Sequence, residues 1–213
     1  MVDERELIRR VRQRDQQAFE LLVGLKRDKA FRIAFNIAGD QDEAKDIVQM
    51  AFIRLWSAID RFDENQRFDP WFFKIVVNLA IDFHRRRQSG PRRLAPAEED
   101  EGLAAAVPFS ALSPMTADAD VMRAEIRKIF NQLAAGLAPA QRAVFTLREI
   151  EGVATEDIAK IMGIKASTVR NHLLQARRVL QDGLRRRYPE YFREPLSRNG
   201  QIGRKPKPPE SGE

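Results

Sequence analysis

The feature that most constrains the fold of this chain is an apolar stripe that recurs at helical spacing. In its clearest stretch, from Ala44 to Ile59, apolar residues return every three or four positions. This period places them on one face of an α-helix, whereas a half-buried strand would alternate apolar and polar residues. Similar stripes recur along the chain, and no segment alternates as a strand would. The sequence therefore predicts an all-α protein.

Residues that begin and end helices divide the first block of stripes. Gly39 is expected to end one helix, because glycine adopts the left-handed conformation of a helix stop, and Asp40 is expected to cap the next. Asp69-Pro70 should begin a further helix, with proline in its first position. This pattern predicts four or five helices in the first block.

A second block of stripes begins near Val121. Pro139 can open a helix there, with an apolar set of Val144, Leu147 and Ile150. Thr155 is then expected to cap a short helix that Gly163 closes. A last helix is predicted from about Ser167 to beyond Leu180.

The two blocks are separated by a segment of different composition. Residues 88–120 contain four prolines and the acidic run Glu98-Glu99-Asp100-Glu101. Such a segment is predicted to be a flexible acidic linker. Residues 189–213 include Lys205-Pro206-Lys207-Pro208-Pro209 and are predicted to form a disordered tail. We therefore expect domains at residues 1–87 and 121–188.

Composition narrows the classes of function. The chain has no cysteine and two histidines distant in sequence, so we expect no metal and no cofactor. Neither a phosphate-binding glycine loop nor a nucleophile–base pair is present, so we do not expect an enzyme. A net charge of +6 favours a polyanionic partner. With no signal sequence and no long apolar stretch, we expect a cytoplasmic protein without membrane insertion.

The segment Thr155 to Arg178 has the pattern of a helix-turn-helix. On a helical wheel, its longer helix has an apolar face, formed by Val169, Leu173, Ala176 and Leu180. The other faces carry side chains suited to base edges and phosphates: Ser167, Arg170, Asn171, Gln175, Arg177 and Arg178. An ordinary solvated helix is the alternative, but the nearby run Arg185-Arg186-Arg187 favours DNA.

The stretch Arg61 to Arg87 interleaves aromatic and basic residues. This mixture suits single-stranded DNA, whose bases stack on aromatic rings while cations hold the backbone. The alternative is that the aromatic residues are core, which we prefer for Phe72 and Phe73, whereas for Trp71 the two interpretations are balanced. The polar loop from Arg61 to Phe68, at the start of this stretch, should be exposed, and Asn65 and Arg67 are our predicted base readers.

Several segments, in order along the chain, resemble the extracytoplasmic-function (group IV) sigma factors of bacterial RNA polymerase, in the sigma-70 superfamily. The segment Asp42 to Trp56 resembles the polymerase-binding helix of that family, and Trp71 to Arg87 resembles the helix that reads the minus-ten promoter element. Leu137 to Arg142 and Thr168 to Leu173, followed by Ala176-Arg177, are similar to its C-terminal promoter domain.

The resemblance implies a sigma factor that binds core RNA polymerase and directs it to promoters. Polymerase would be bound through Asp46, Gln49, Arg54 and Trp56. The minus-ten element and its melted non-template strand would be held by Arg61, Asn65, Arg67, Trp71, Lys74, Asn78, Arg85 and Arg86. The minus-thirty-five duplex would be read by Lys165, Ser167, Thr168, Arg170, Asn171, Gln175, Arg177 and Arg178.

The chain departs from the family pattern at two positions. Met50 stands where an acidic residue is usual, and His172 where arginine is common, so one polymerase contact and one phosphate contact are expected to differ. Many relatives are held by an anti-sigma factor, which is a further candidate partner. A different class of protein, a stand-alone helix-turn-helix regulator that binds duplex DNA without polymerase, would leave Arg61 to Arg87 unexplained.

Overall fold

The structure is a computed structural model that describes residues 3–89 and 129–189, and every regular element in those residues is helical. The first block contains α1 (Glu4–Arg12), α2 (Gln16–Ala38), α3 (Gln41–Ala58), a 3₁₀ turn (Ile59–Arg61) and α4 (Phe68–Ser89). The second contains α5 (described over residues 129–134), α6 (Pro139–Phe145), a π-helical turn (Thr146–Ile150), α7 (Thr155–Met162) and α8 (Ala166–Arg187). The predicted all-α class is confirmed.

The junction between α2 and α3 forms as its residues predict. Gly39 has a φ of 84°, in the left-handed region that favours glycine, and its N–H donates to the carbonyl of Phe35. The Asp40 carboxylate then accepts hydrogen bonds from the main-chain N–H groups of Asp42 and Glu43, at 2.9 and 3.0 Å. These bonds satisfy donors that have no partner within the helix.

Two helix starts differ from the prediction. Helix α4 begins at Phe68, so Pro70 is its third residue, which is tolerated because an N–H in the first turn has no partner within the helix. Helix α7 begins at Thr155, with Ala154 at the N-cap. The predicted linker and tail lie outside the described residues, apart from residues 88–89, which continue α4, and residue 189.

The two blocks share one apolar core. Helix α4 packs against α2 and α3 and also against α7. The buried residues of this core come from both blocks, among them Phe72, Val76, Leu147, Ile158 and Val169. Because α4 is covered from more than one side, Phe73 and Val77 are also buried, beyond the single stripe expected of a surface helix.

A buried arginine joins the blocks. Arg142 of α6 donates from Nε to the main-chain carbonyl of Asn36, and from Nη2 to Oδ1 of Asn131, both at 2.6 Å. The carbonyl belongs to the C-terminal end of α2, where the helix dipole favours a cation. Burial, assisted by the charge of Arg87, lowers the pKa of Arg142 to about 10, so the guanidinium still carries its charge at neutral pH.

The helices of residues 3–89 and 129–189 include none with the length and apolar character that crossing a membrane requires. In the same residues, histidine and acidic side chains form no group of three or more that could hold a metal ion.

Candidate nucleic-acid interface

The exposed side of α4 carries a row of polar and basic side chains. Lys74, Asn78, Asp82 and Arg85 follow one another at steps of three or four residues, and all are exposed, as is Arg86. Residues at this spacing lie on one side of a helix. Arg86 also places its guanidinium 5.7 Å from the centre of the Phe83 ring. Lys74, Asn78 and Arg85 can donate hydrogen bonds to a phosphate backbone, whereas the carboxylate of Asp82 cannot.

The loop before α4 is folded around Asp63. Its carboxylate accepts hydrogen bonds from the main-chain N–H and the side-chain amide of Asn65, both at 3.0 Å, and from the Gln66 amide at 3.3 Å. The bond from the Asn65 N–H is the main reason that the pKa of Asp63 is lowered. Asp63 therefore positions the predicted base reader Asn65, a role that an Asp-x-Asn turn signal could have indicated.

A cavity of about 450 Å³ opens beside this loop. Its walls come from the loop, from α1 and from the start of α4, and include Glu4, Arg5, Arg9, Asn65, Arg67 and Phe68. Its volume falls within the roughly 300–1,000 Å³ of small-molecule sites. Aromatic, amide and charged groups on its walls can together stack on and hydrogen-bond a nucleobase.

Lys26 forms ion pairs with residues from two walls of this cavity. Its Nζ lies 2.5 Å from Oε2 of Glu4 and 2.5 Å from Oδ1 of Asp69, and both carboxylates line the cavity. Burial disfavours the charged amine, but the hydrogen bonds to Asp69 and Glu4 outweigh that effect and raise the pKa of Lys26. This partly buried contact was not predicted, since it joins three separate helices.

The aromatic residues divide between core and surface. Phe72 and Phe73 are buried, as predicted. Trp71 is half-buried and packs against Phe62 and Phe68, with ring centres 5.1 and 5.9 Å away. Trp71 is therefore partly exposed at the surface, next to the cavity residue Phe68.

Helices α7 and α8 form the predicted helix-turn-helix. The turn contains Gly163 with a φ of 65°, and α8 buries Val169, Ala176 and Leu180. All but one of the predicted minus-thirty-five contacts are exposed, and the exception, Thr168, is half-buried. The exposed residues are Lys165, Ser167, Arg170, Asn171, Gln175, Arg177 and Arg178.

Two of these side chains already have partners within the second block. Gln175 accepts a hydrogen bond from the Gln141 amide at 2.7 Å, and Arg177 pairs with Glu149 at 2.7 Å. Gln175 and Arg177 therefore contact α6 and the π-helical turn in this structure. Both partners lie far from α8 in sequence and were not predicted.

The outer side of α3 presents the predicted polymerase-binding residues. Asp46, Gln49 and Arg54 are exposed, whereas Trp56 and Met50 are half-buried against the core. Ile53, which was not predicted, lies among them and is 40% exposed. Its position outside the buried stripe of α3 is the signal that could have identified it, because a residue off the buried face of a helix is left exposed.

Two ion pairs lie between the two blocks. Arg67 of the first block pairs with Asp157 of α7. Arg32 of α2 makes a two-pronged contact with the Glu151 carboxylate, at 3.0 and 3.1 Å. The hydrogen bonds with Glu151 raise the pKa of the Arg32 guanidinium.

Comparison with known sequences assigns both blocks to one family. Residues 22–90 match the family model of sigma-70 region 2, and residues 127–180 match that of sigma-70 region 4. The ECF RNA polymerase sigma factor SigW of Bacillus subtilis is 32% identical over 178 residues, which cover 84% of this chain and 95% of SigW. The RNA polymerase sigma-H factor of Pseudomonas aeruginosa is 31% identical over 185 residues, covering 85% and 93% of the two chains.

Solved structures show the same fold. CnrH, solved in complex with the cytosolic domain of CnrY, aligns with a TM-score of 0.63 and 23% identity, covering 85% of this chain and 96% of CnrH. RpoE of Bartonella quintana, solved with the anti-sigma factor NepR, aligns with a TM-score of 0.55 and 22% identity, covering 78% and 96%.

The matched regions define a sigma-70-type protein, the class that directs RNA polymerase to promoters. Within this class, the chain belongs to the extracytoplasmic-function sigma factors.

Proposed function

We propose that this sigma factor acts in the cytoplasm, where it binds core RNA polymerase through the outer side of α3 and reads promoters with both blocks. The observation that carries this proposal is the cavity beside the Asn65 loop, next to the polar row of α4. A regulator that binds only duplex DNA through its helix-turn-helix has no use for such a second surface.

The loop and α4 form the proposed minus-ten reader. Removing a base from the duplex costs a few kcal/mol, so a cavity that receives the base can supply both binding and selectivity. Asn65, held by Asp63, would meet the base edge, and Trp71 would stack beside it. The cations would hold the strand backbone: Arg61, Arg67, Lys74, Arg85 and Arg86, together with the amide of Asn78.

Helix α8 forms the proposed minus-thirty-five reader. Its N-terminal part presents Lys165, Ser167, Arg170 and Asn171, which suit base edges and nearby phosphates in the major groove. Thr168 lies on the same turn, and Gln175, Arg177 and Arg178 would extend the contact along the groove. His172 is half-buried on α8, in keeping with one phosphate contact fewer.

The proposed polymerase contact combines charge, amide and apolar groups. Asp46, Gln49 and Arg54 supply polar contacts, and exposed Ile53 supplies apolar area to remove from water. Met50 packs partly against the core, so replacing an acidic residue there removes a charge from the edge of this surface. Trp56, near the C-terminal end of α3, forms the edge of this surface.

The two DNA readers must separate for one promoter to engage both. The elements are about 25 base pairs apart by name, which is about 85 Å along a duplex that rises about 3.4 Å per base pair. In this structure Arg67 touches Asp157 of α7, so the minus-ten loop is in contact with the helix-turn-helix. We infer that binding to polymerase breaks this contact together with the packing of α4 against α7 in the shared core. An anti-sigma factor, such as the one solved with the Bartonella RpoE, is a candidate partner.

Transcription from promoter fragments by core polymerase, with and without the chain, tests this proposal. We expect initiation at a cognate promoter with the chain and none without it, and little duplex binding by the chain alone. Gln49→Ala should lose co-purification with core polymerase while keeping the wild-type fold. Tight specific duplex binding without polymerase, together with no stimulation of transcription, would favour the stand-alone regulator.

A further inference from the structure

Arg14 occupies a turn position that favours glycine. Its φ is 64°, the only positive value at a non-glycine residue within residues 3–89 and 129–189. The turn ends α1 with the two hydrogen bonds of a Schellman motif, from the N–H of Asp15 to the carbonyl of Arg10 and from the N–H of Arg14 to the carbonyl of Val11. The left-handed residue of this motif is usually glycine, because any side chain there carries a steric cost.

The Arg14 side chain reaches across to the C-terminal end of α3. Its Nη1 donates to the main-chain carbonyl of Trp56, and its Nη2 pairs with Asp60. The last carbonyls of a helix have no partner within that helix, so Arg14 supplies one. The guanidinium carbon also lies 5.4 Å from the centre of the Trp56 ring, and Phe19 packs against the same ring at 4.7 Å.

These contacts add little to the stability of the fold, and we explain them instead by the orientation that they give to the Trp56 side chain. The Arg14 and Asp60 side chains are 44% and 55% exposed, and exposed ion pairs add little to folding. A residue that stays in an unfavourable backbone conformation without a large gain in stability points to a role for its side chain. Its partner is Trp56, the last residue of the proposed polymerase-binding set.

We propose that Arg14 is a positioning residue for polymerase binding, which holds the end of α3 and the Trp56 indole in the orientation that the polymerase meets. The proposal rests on the proposed docking role of α3. Arg14 lies before the matched sigma-70 region 2, which begins at residue 22. It therefore adds to the docking surface a contact from outside the matched region.

The variant Arg14→Gly separates positioning from stability, because glycine relieves the backbone and removes the side chain. We expect its midpoint of thermal unfolding to equal or exceed that of the wild type, while its affinity for core polymerase falls about five- to tenfold. Arg14→Lys keeps a charge near Asp60 but lacks the planar fork, so its affinity should be intermediate. Wild-type affinity in Arg14→Gly would overturn the proposal.

Asp60→Asn is the matched control, because it weakens the ion pair and leaves the contacts with Trp56 in place. We expect its affinity to stay within about twofold of the wild type. A loss as large as that of Arg14→Gly would assign the effect to the ion pair and overturn the role given to Trp56.

Two further measurements separate this proposal from the docking role itself. The chain has two tryptophans, so in a Trp71→Phe background the tryptophan emission reports Trp56 alone. Arg14→Gly should shift its emission, and an unchanged spectrum would contradict the proposal. Gln49→Ala is titrated with core polymerase in parallel: weakened binding in Gln49→Ala alone overturns only the role of Arg14, whereas normal binding in both variants also overturns the docking role of α3.

Discussion

Arg67 and Asp157 form an ion pair between the two blocks, in which the arginine side chain is 69% exposed and the aspartate only 13%. The pair connects the loop of the first block to the first helix of the helix-turn-helix. A pair with one well-hydrated partner is worth at most about 1 kcal/mol. It can therefore mark the contact between the blocks without holding them together.

Breaking this pair should have little effect on folding. We expect Asp157→Asn to lower the free energy of unfolding by less than about 1 kcal/mol and to leave promoter binding by the holoenzyme intact. Arg67→Ala should be equally stable but about tenfold slower to form the melted complex, because the DNA loses a cation beside the cavity. Denaturant titration measures the stability of each variant, and permanganate footprinting measures the rate of promoter melting. An equal decrease of that rate in both variants would count against Arg67 as a DNA contact.

Arg142 should carry much more of the stability. Arg142→Met leaves the buried carbonyl of Asn36 and the Asn131 amide oxygen without their donor, so we expect a loss of about 2–4 kcal/mol in the free energy of unfolding. The exposed Arg148, which donates to the carbonyl of Val153, provides the control: Arg148→Ala should cost less than about 1 kcal/mol. Similar urea midpoints for the two variants would refute this difference.

Arg178 is expected to contact a phosphate of the minus-thirty-five element. Arg178→Ala should weaken binding of the holoenzyme and reduce the slope of log affinity against log salt by about one. Arg27→Ala, on α2 of the first block, should leave the slope unchanged. Titrations of a promoter fragment at several KCl concentrations provide the measurement, and an unaltered slope in Arg178→Ala would remove this residue from the DNA contacts.

His84 should make the fold less stable in mild acid. Burial and the nearby charge of Arg142 lower the pKa of His84 below its ordinary value of 6.5. Well above that pH the histidine is neutral in both the folded and the unfolded state. As the pH falls below 6.5, the unfolded state takes up a proton that the folded state does not, so the free energy of unfolding falls.

Urea titrations between pH 7.5 and about 5.5 test this expectation on the wild type and on His84→Gln. The wild type should lose stability over this range, and His84→Gln should lose less. The difference between the two curves isolates His84 from carboxylates such as Glu43, whose pKa is raised by burial. Parallel curves would show that His84 does not titrate differently on unfolding.

Local chemistry made most of the helices predictable. Gly39 and Asp40 act through neighbours within four residues, so their roles can be recognised in the sequence alone. The exposed residues of α8 were equally predictable, because a helical wheel separates them from Val169 and Ala176. Their proposed contacts with DNA are still predictions.

The features that could not be predicted depend on contacts between residues distant in sequence or on local departures from α-helical geometry. Ile150 was expected to be buried but is 43% exposed, because the π-helical turn that ends at this residue changes the register after α6. The contact of Arg142 with Asn36 spans 106 positions, and no local sequence pattern near either residue predicts it. The positive φ of Arg14 could not be predicted either, because the neighbouring residues are equally compatible with a turn that has no positive φ.

The left-handed turn at Gly39 has a consequence for the evolution of the chain. A Cβ atom at this position would lie 3.0 Å from Nη2 of Arg142, so any other residue there would press on the guanidinium as well as strain the backbone. A substitution at position 39 is therefore also a change to the seam between the blocks. Across an alignment of relatives packed in this way, positions 39 and 142 should covary, although position 39 lies in the matched sigma-70 region 2 and position 142 in the matched region 4.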